Sequence, residues 1–222
     1  MADTPKRRET KALEQGIITD PFEIARAEAR NGLLQAYEGE QAALAAIERG
    51  NFKFRPSLIS SLHRTALQGL SSYAGLYRPA AVEIDHSRHQ PPESFLVPEL
   101  IEDLCDFVNT KWDGESPLYL AAYTMWRLNW IHPFTDGNGR TSRIVSYVIL
   151  SIRAGYVPCG SPSIPAQIEA DRGPYFQALE AADEAWKLGE LNLKPMQDLL
   201  ETLLARQLVA FFQSVGGKMP LD

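Results

Sequence analysis

The sequence has few of the features that mark a secreted, zinc-binding or membrane protein. It contains only two cysteines, Cys105 and Cys159, in no recurrent spacing, which favours reduced thiols over a disulfide. Its four histidines form no paired Cys/His pattern, so we expect no zinc site. No apolar run is long enough to span a bilayer, and the N-terminus lacks an apolar signal segment. We therefore expect a reduced, cytoplasmic protein without a membrane partner.

Positive charge is also scarce. The 222 residues include 22 Lys and Arg against 28 Asp and Glu, which gives a net charge of −6. The one basic cluster, Lys6-Arg7-Arg8, is followed at once by Glu9. Nucleic acid is therefore not an expected partner, because its phosphates need a basic surface. A chain of this length can bury roughly 70% of its unfolded surface, so it needs neither disulfide nor metal to fold.

Strand signal is sparse, and the apolar residues recur mostly at the helical period. We predict an all-α fold with one small β-hairpin near residues 77–92, too small to build a core sheet. Residues 1–50 are expected to form a helical N-terminal segment, and residues 51–222 a core with C-terminal helices, packed as one unit. The predicted helices are Thr10–Gln15, Asp20–Glu48, Pro56–Gln68, Val97–Asn109, Pro117–Ile131, Arg140–Ala154, Ile164–Glu169, Pro174–Lys187 and Leu193–Ser214.

The densest chemistry lies in one stretch that begins at His132 and reads His-Pro-Phe-Thr-Asp-Gly-Asn-Gly-Arg-Thr-Ser-Arg. Its Gly-Asn-Gly segment can turn several backbone N–H groups toward one point, which makes a nest for an anion. The residues after it contain no Gly or Pro before Gly155, so a helix should begin there with its positive end at the nest. Arg140 and Arg143 would share a face of its first turn. Cations oppose the helix dipole at that end, which suggests a bound anion.

Several residues of this stretch suit phosphate chemistry. His132 can take a proton near neutral pH, because the unperturbed pKa of imidazole is about 6.5; the alternative is a structural histidine. Asp136 can cap the helix or bind Mg²⁺, which prefers one or two carboxylates together with substrate phosphates. Phe134 is interpreted as an anchor in the core. A P-loop ATPase is disfavoured, because Gly-x-x-x-x-Gly-Lys-Ser/Thr is absent and no buried strand leads into the nest.

The stretch resembles the signature of the Fic family, His-Pro-Phe-x-Asp/Glu-Gly-Asn-Gly/Lys-Arg-x-x-Arg, and matches every specified position. The resemblance implies a Fic-type helical bundle that transfers AMP from ATP to a Ser, Thr or Tyr hydroxyl of a target protein. It implies that His132 is the base and that Asp136 binds Mg²⁺, for which Mn²⁺ can substitute. The implied phosphate contacts are Gly137, Asn138, Gly139, Arg140 and Arg143, with Arg143 at the γ-phosphate.

Two further segments extend the resemblance. Val82, Glu83 and Ile84 lie where Fic proteins carry a hairpin, the flap, which holds the target segment by main-chain pairing. Tyr175 is similar to the family's downstream tyrosine near the nucleotide base, where an aromatic ring can stack on a purine. The alternative for Tyr175 is a core aromatic at the start of a helix.

The N-terminal stretch that begins at Thr10 resembles the family's inhibitory helix, Ser/Thr-x-x-x-Glu-Gly/Asn. It places Glu14 at the inhibitory position, although Gln15 stands where Gly or Asn is usual. A carboxylate there would pair with Arg143 and displace the γ-phosphate; the alternative is a solvated Glu on a terminal helix. No comparable Glu follows the motif, so we do not expect a C-terminal inhibitory helix.

The motif leaves other functions open. The same scaffold could transfer another nucleotide or phosphate group, or remove AMP, in which case Glu14 would align a water molecule. A non-catalytic, nucleotide-sensing interaction module is disfavoured, because a binder needs no base such as His132. His86 and His89 are interpreted as parts of a surface turn. The sequence does not indicate the target or the oligomeric state, and a homodimer is an open alternative.

Overall fold

A computed structural model of the protein describes residues 10–11, 18–85 and 87–217. Helices dominate these residues, which confirms the predicted all-α class. A 3₁₀ turn at Ser94–Leu96 leads into the third helix. The helices are α1 (Pro21–Arg49), α2 (Pro56–Leu67), α3 (Val97–Lys111), α4 (Pro117–Ile131), α5 (Asn138–Ala154), α6 (Ile164–Ala170), α7 (Gly173–Lys187) and α8 (Lys194–Ser214); the strands are β1 (Thr10–Lys11) and β2 (Glu83–Ile84).

Local signals explain where the helices begin. The Asp20 carboxylate accepts a hydrogen bond of 2.9 Å from the Glu23 N–H at the start of α1. Ser116 does the same for α4, with a hydrogen bond of 3.1 Å from the Tyr119 N–H. Such caps satisfy N–H groups that have no partner within the helix. Apart from the prediction at Thr10, the predicted helix bounds agree with the structure to within two residues.

The helices α4 and α5 form the centre of the fold. Every residue of α4 from Leu120 to Leu128 is buried, so other elements must pack against all faces of this helix. α1 and α2 pack on α5, while α3, α7 and α8 pack on α4. The connection between α4 and α5, residues 132–137, therefore lies between two buried helices.

The small β element differs from the predicted hairpin. β2 pairs antiparallel with β1, with Thr10 opposite Ile84 and Lys11 opposite Glu83. In the described part of the segment after Ile84, no returning strand forms. The hairpin prediction was therefore wrong, as was the helix prediction at Thr10 and Lys11. The flap strand finds its partner far away in the sequence, and local periodicity cannot reveal such a pairing.

The two cysteines lie in different environments. Cys105 is buried in α3, Cys159 is exposed, and both are free thiols. Burial raises the pKa of the Cys105 thiol to about 12, so this group stays protonated at neutral pH. Within the described ranges, no helix combines the length and the apolar character that a bilayer crossing requires.

Candidate active site

A cavity of about 260 Å³ opens beside the loop between α4 and α5. Its walls bring together the residues predicted from the motif: His132, Asp136, Gly137, Asn138, Gly139, Arg140 and Arg143. Ile84 of the flap and Tyr175 of α7 also line it. Further lining residues, to which the sequence analysis assigned no role in a site, are Glu28, Ser87, His89, Asn129, Arg172, Phe176, Leu179 and Asp183.

His132 occupies the C-terminal cap of α4. It is the one residue other than glycine with a positive φ, 52°, within the described ranges, and its N–H donates to the Leu128 carbonyl at 3.0 Å. Its Nδ1 lies 3.3 Å from the Asn129 carbonyl oxygen. A carbonyl can only accept, so Nδ1 carries the proton and Nε2 holds the basic lone pair. Burial lowers the pKa of His132 to about 3, which keeps the ring neutral at pH 7.

Arg78 ties the segment before the flap to the loop between α4 and α5. Its Nε donates to the His132 carbonyl at 2.8 Å, and its N–H donates to the Pro133 carbonyl at 2.9 Å. Two more donors reach the carbonyls of Ala80, at 3.0 Å, and Pro92. Arg78 is buried, and this burial lowers the pKa of its guanidinium. Arg78 therefore holds the backbone of His132 and Pro133 in position.

His63 of α2 supports the loop from below. Its ring stacks on Phe134 with 3.6 Å between the ring centroids and 3° between the planes. The Gly75 N–H donates to Nδ1 at 2.8 Å. Nε2 therefore carries the proton and donates to the Asp136 carbonyl at 3.0 Å. Phe134 is fully buried, which confirms its interpretation as an anchor.

Gly137 occupies the tightest point of the loop. Its φ is 72°, and a Cβ at this position would lie 2.5 Å from a methyl carbon of Leu67. Both the backbone angle and the space therefore require glycine. This residue precedes α5 and lines the cavity, so the positive end of the helix lies at the cavity wall.

Asn138 closes the loop with both ends of its amide. Its Oδ1 accepts from the Phe134 N–H at 2.9 Å, and its Nδ2 donates to the Phe134 carbonyl at 2.8 Å. These bonds fix the side chain of Asn138 within the loop, at the first turn of α5 and in the cavity wall. The implied phosphate contact of Asn138 stays a prediction.

The arginines at the start of α5 are balanced by carboxylates from other elements. Arg140 lies 3.0 Å from Asp136 Oδ2 and 3.3 Å from Glu28 Oε1. Arg143 is buried and pairs with Glu169 of α6, and burial lowers the pKa of its guanidinium. Glu14, the predicted partner of Arg143, lies outside the described residues.

Asp136 is suited to hold a metal only together with a substrate. Its Oδ1 accepts from the Gly137 N–H at 2.6 Å, and its side chain is 51% exposed at the cavity. In the part of the chain that the structure describes, no three His, Cys, Asp or Glu side chains gather to form a metal site. One half-exposed carboxylate in a cavity that can hold phosphates fits Mg²⁺, which takes its other ligands from phosphates and water.

The structure agrees with the alternative interpretation of Tyr175, a core aromatic at the start of a helix, and corrects the interpretation of His89. Tyr175 is 1% exposed, and its hydroxyl lies 3.3 Å from Ser142 Oγ; it is a core residue that also forms part of the cavity wall. His89 does not lie in a surface turn, because its Nε2 donates to the Trp130 carbonyl at 2.7 Å and its ring lines the cavity. His86 lies outside the described residues.

Residues 53–150 match the Fic/DOC family, and this segment contains α2, the flap, the catalytic loop and most of α5. This match covers less than half of the chain, and it agrees with the resemblance of the motif to the Fic family.

Individual relatives agree with this match. Protein adenylyltransferase Fic of Drosophila willistoni is 34% identical over 128 residues, 57% of this chain and 24% of the relative. The protein of the same name from Nematostella vectensis is 36% identical over 112 residues, 50% of this chain and 24% of the relative. This chain thus spans about a quarter of the length of these curated relatives.

The solved structures show the fold. A Fic domain containing signaling protein from Bacteroides thetaiotaomicron superposes with a TM-score of 0.66 at 21% identity, over 85% of this chain and 74% of that one.

Proposed function

We propose that this domain transfers AMP from ATP to a hydroxyl group of a target protein. The observation that carries the proposal is that a neutral imidazole, His132, faces the same cavity as three arginines and the start of α5. A base beside an anion site is what transfer to a hydroxyl requires, whereas binding a nucleotide requires only the anion site. The relatives described above are named protein adenylyltransferases, which supports the same reaction.

In this reaction the target hydroxyl oxygen attacks the α-phosphorus, and Nε2 of His132 takes the hydroxyl proton. A new P–O bond forms as the bond from the α-phosphorus to the α–β bridging oxygen breaks, and pyrophosphate leaves. A histidine with a pKa of about 3 is unprotonated at pH 7 but weakly basic. The negative charge of a bound triphosphate favours the imidazolium, so substrate binding raises the pKa toward the range of an effective base.

The remaining residues of the motif hold the phosphates. Gly137, Asn138 and Gly139 line the cavity at the positive end of α5, and we assign the phosphate contacts to the backbone N–H groups at this end of the helix. Arg140 and Arg143 offer forked donors, which suit phosphate oxygens. Asp136 would hold Mg²⁺ or Mn²⁺, which neutralises charge on the phosphates when bound. Catalysis would rest mainly on positioning and electrostatic stabilisation.

The flap is the proposed docking edge for the target. Ile84 lines the cavity, so a segment paired with β2 runs beside the base. Val82 is 8% exposed and packs inward, which leaves Glu83 and Ile84 to offer their main-chain groups. β1 pairs with this edge; a target strand must therefore replace Thr10–Lys11 or add beside it.

Glu14 is retained as a proposed inhibitory carboxylate. If it pairs with Arg143, it takes the place of the γ-phosphate and holds activity low. An exposed ion pair contributes less than about 1 kcal/mol, so such inhibition requires a sheltered pair.

Position-specific labels test the proposed reaction. The protein is mixed with Mg²⁺, a cell lysate and ATP labelled with ³²P at either the α- or the γ-phosphate. We expect protein labelling from α-labelled ATP only, and none with His132→Ala, whose affinity for ATP should stay within a few-fold of wild type. Labelling from the γ-position would indicate phosphorylation. Stronger labelling from α-labelled UTP would mean that UTP, and not ATP, is the preferred nucleotide. Wild-type labelling by His132→Ala would exclude this base.

A further inference from the structure

Three charged side chains meet at the wall of the cavity. The two carboxylate oxygens of Glu169, near the end of α6, are divided between two arginines. Oε2 accepts from Nη2 of Arg143, and Oε1 accepts from Nη2 of Arg172. Both arginines line the cavity. Glu169 thus bridges a motif arginine and a second arginine that lies outside the motif, and we call these three residues the Glu169 bridge.

The two arginines are held more firmly than the carboxylate. The side chain of Arg143 is 8% exposed, and its Nη1 lies 3.2 Å from the position that a Cβ on Gly139 would take. Its guanidinium therefore packs directly on the loop that forms the anion nest. The side chain of Arg172 is 19% exposed, whereas that of Glu169 is 48% exposed. Of the three side chains, Glu169 is the most exposed, so it can turn into water once another anion pairs with the buried Arg143.

The bridge has unused capacity for an anion. One carboxylate faces two guanidinium groups, so the three side chains together have a formal charge of +1. The Nε of Arg172 is buried and has no hydrogen-bond partner within the described ranges. A terminal phosphate carries roughly −1.5 to −2 charges at neutral pH and three acceptor oxygens. It can therefore balance both arginines and engage more of their donors than the carboxylate does.

We propose that Arg172 and Arg143 together bind the terminal phosphate of a nucleoside triphosphate, and that Glu169 occupies both arginines until this phosphate displaces it. The inference rests on the proposed function, because it uses the same cavity. This contact would make the site prefer a nucleoside triphosphate over a diphosphate, because a diphosphate has no terminal phosphate that reaches Arg143 and Arg172. Glu169 is then a competing carboxylate at Arg143 that is independent of Glu14.

Titration calorimetry of ATP and ADP with Mg²⁺, on the full chain, tests this inference. Glu169→Gln keeps the shape of the side chain and removes its charge. We expect it to lower the Kd for ATP about tenfold, or about 1.4 kcal/mol, and to leave the Kd for ADP nearly unchanged. Arg172→Gln should raise the Kd for ATP by a similar factor and remove the preference for ATP over ADP. Arg172→Lys should keep part of the preference that Arg172→Gln loses, because lysine has the positive charge but not the forked donors of the guanidinium.

Controls separate the bridge from general effects of charge. Asp198→Asn breaks an exposed ion pair with Lys194 on α8 and should leave both affinities unchanged. In the double variant Glu169→Gln/Arg172→Gln, the gain from the first change should shrink, because the two residues act on one phosphate. Thermal unfolding of each variant shows whether the fold is intact, and Arg172→Lys supplies the comparison if Glu169→Gln is destabilised.

The outcomes distinguish this inference from the proposed function. Equal affinity of wild type and Glu169→Gln for ATP, or an equal gain for ATP and ADP, would overturn the inference alone. An unchanged ATP preference in Arg172→Gln, with transfer of the α-label intact, would do the same. If neither wild type nor any variant binds a nucleoside triphosphate, both the inference and the proposed function fail.

Discussion

The low pKa of His132 predicts a specific pH dependence of folding stability. The ring titrates near pH 3 in the folded protein, whereas an unfolded chain titrates its histidines near about 6.5. Between these values the unfolded state binds the extra proton. Stability from this residue is therefore fully present above pH 6.5 and is lost as the pH falls toward 3. His132→Asn removes the titrating group and should not show this loss.

The magnitude follows from the two pKa values. Relative to the fully deprotonated state at high pH, His132 should reduce the free energy of unfolding by less than about 1 kcal/mol at pH 6.5, by roughly 1 kcal/mol at pH 5.5 and by roughly 3 kcal/mol at pH 4.5. Because other groups titrate in the same range, the quantity to compare is the difference between wild type and His132→Asn. That difference should change by these amounts in favour of the variant as the pH falls.

Urea unfolding of both proteins at pH 7.5, 6.5, 5.5 and 4.5 measures this difference. A difference that stays constant across the four pH values would refute the reasoning, because it would mean that His132 has an ordinary pKa in the folded state. The ring would then be partly charged at neutral pH, and the argument for a neutral base would fail with it.

Three further predictions concern other parts of the site. Gly137→Ala places a Cβ 2.5 Å from a methyl carbon of Leu67, at a φ of 72° that alanine rarely adopts. We expect thermal unfolding to show a loss of about 2–4 kcal/mol of stability. We also expect the rate of α-label transfer to fall about 100-fold. Full activity of this variant would show that the loop tolerates a shift. Asp136→Ala should lose most of the transfer activity, and the activity that remains should no longer depend on added Mg²⁺ or Mn²⁺. If the variant shows the same metal dependence as wild type, Asp136 does not bind the metal. Glu14→Gly should raise self-labelling about tenfold, or about 1.4 kcal/mol, and no increase in a folded, ATP-binding variant would exclude Glu14 as an inhibitor.

Much of the fold and the central part of the site could be predicted from local sequence. The helix bounds follow from caps such as Asp20 and Ser116 and from apolar periodicity, all of which act within a few residues. The stretch from His132 to Arg143 forms one site because its residues are consecutive, so a single turn brings base, carboxylate and arginines to the same point. No tertiary information is needed for that part.

The tertiary structure decided which distant residues hold this stretch in place. Arg78 binds the His132 carbonyl, His63 supports Phe134, and Glu169 pairs with Arg143. Sequence separations between these partners are tens of residues, and a periodic pattern shows only which face of a helix is buried, not what covers it. For the same reason the sequence did not predict that Thr10–Lys11 pairs with the flap strand. Chemistry that resides in adjacent residues is visible in the sequence, whereas pairings across the core appear only when the helices have packed.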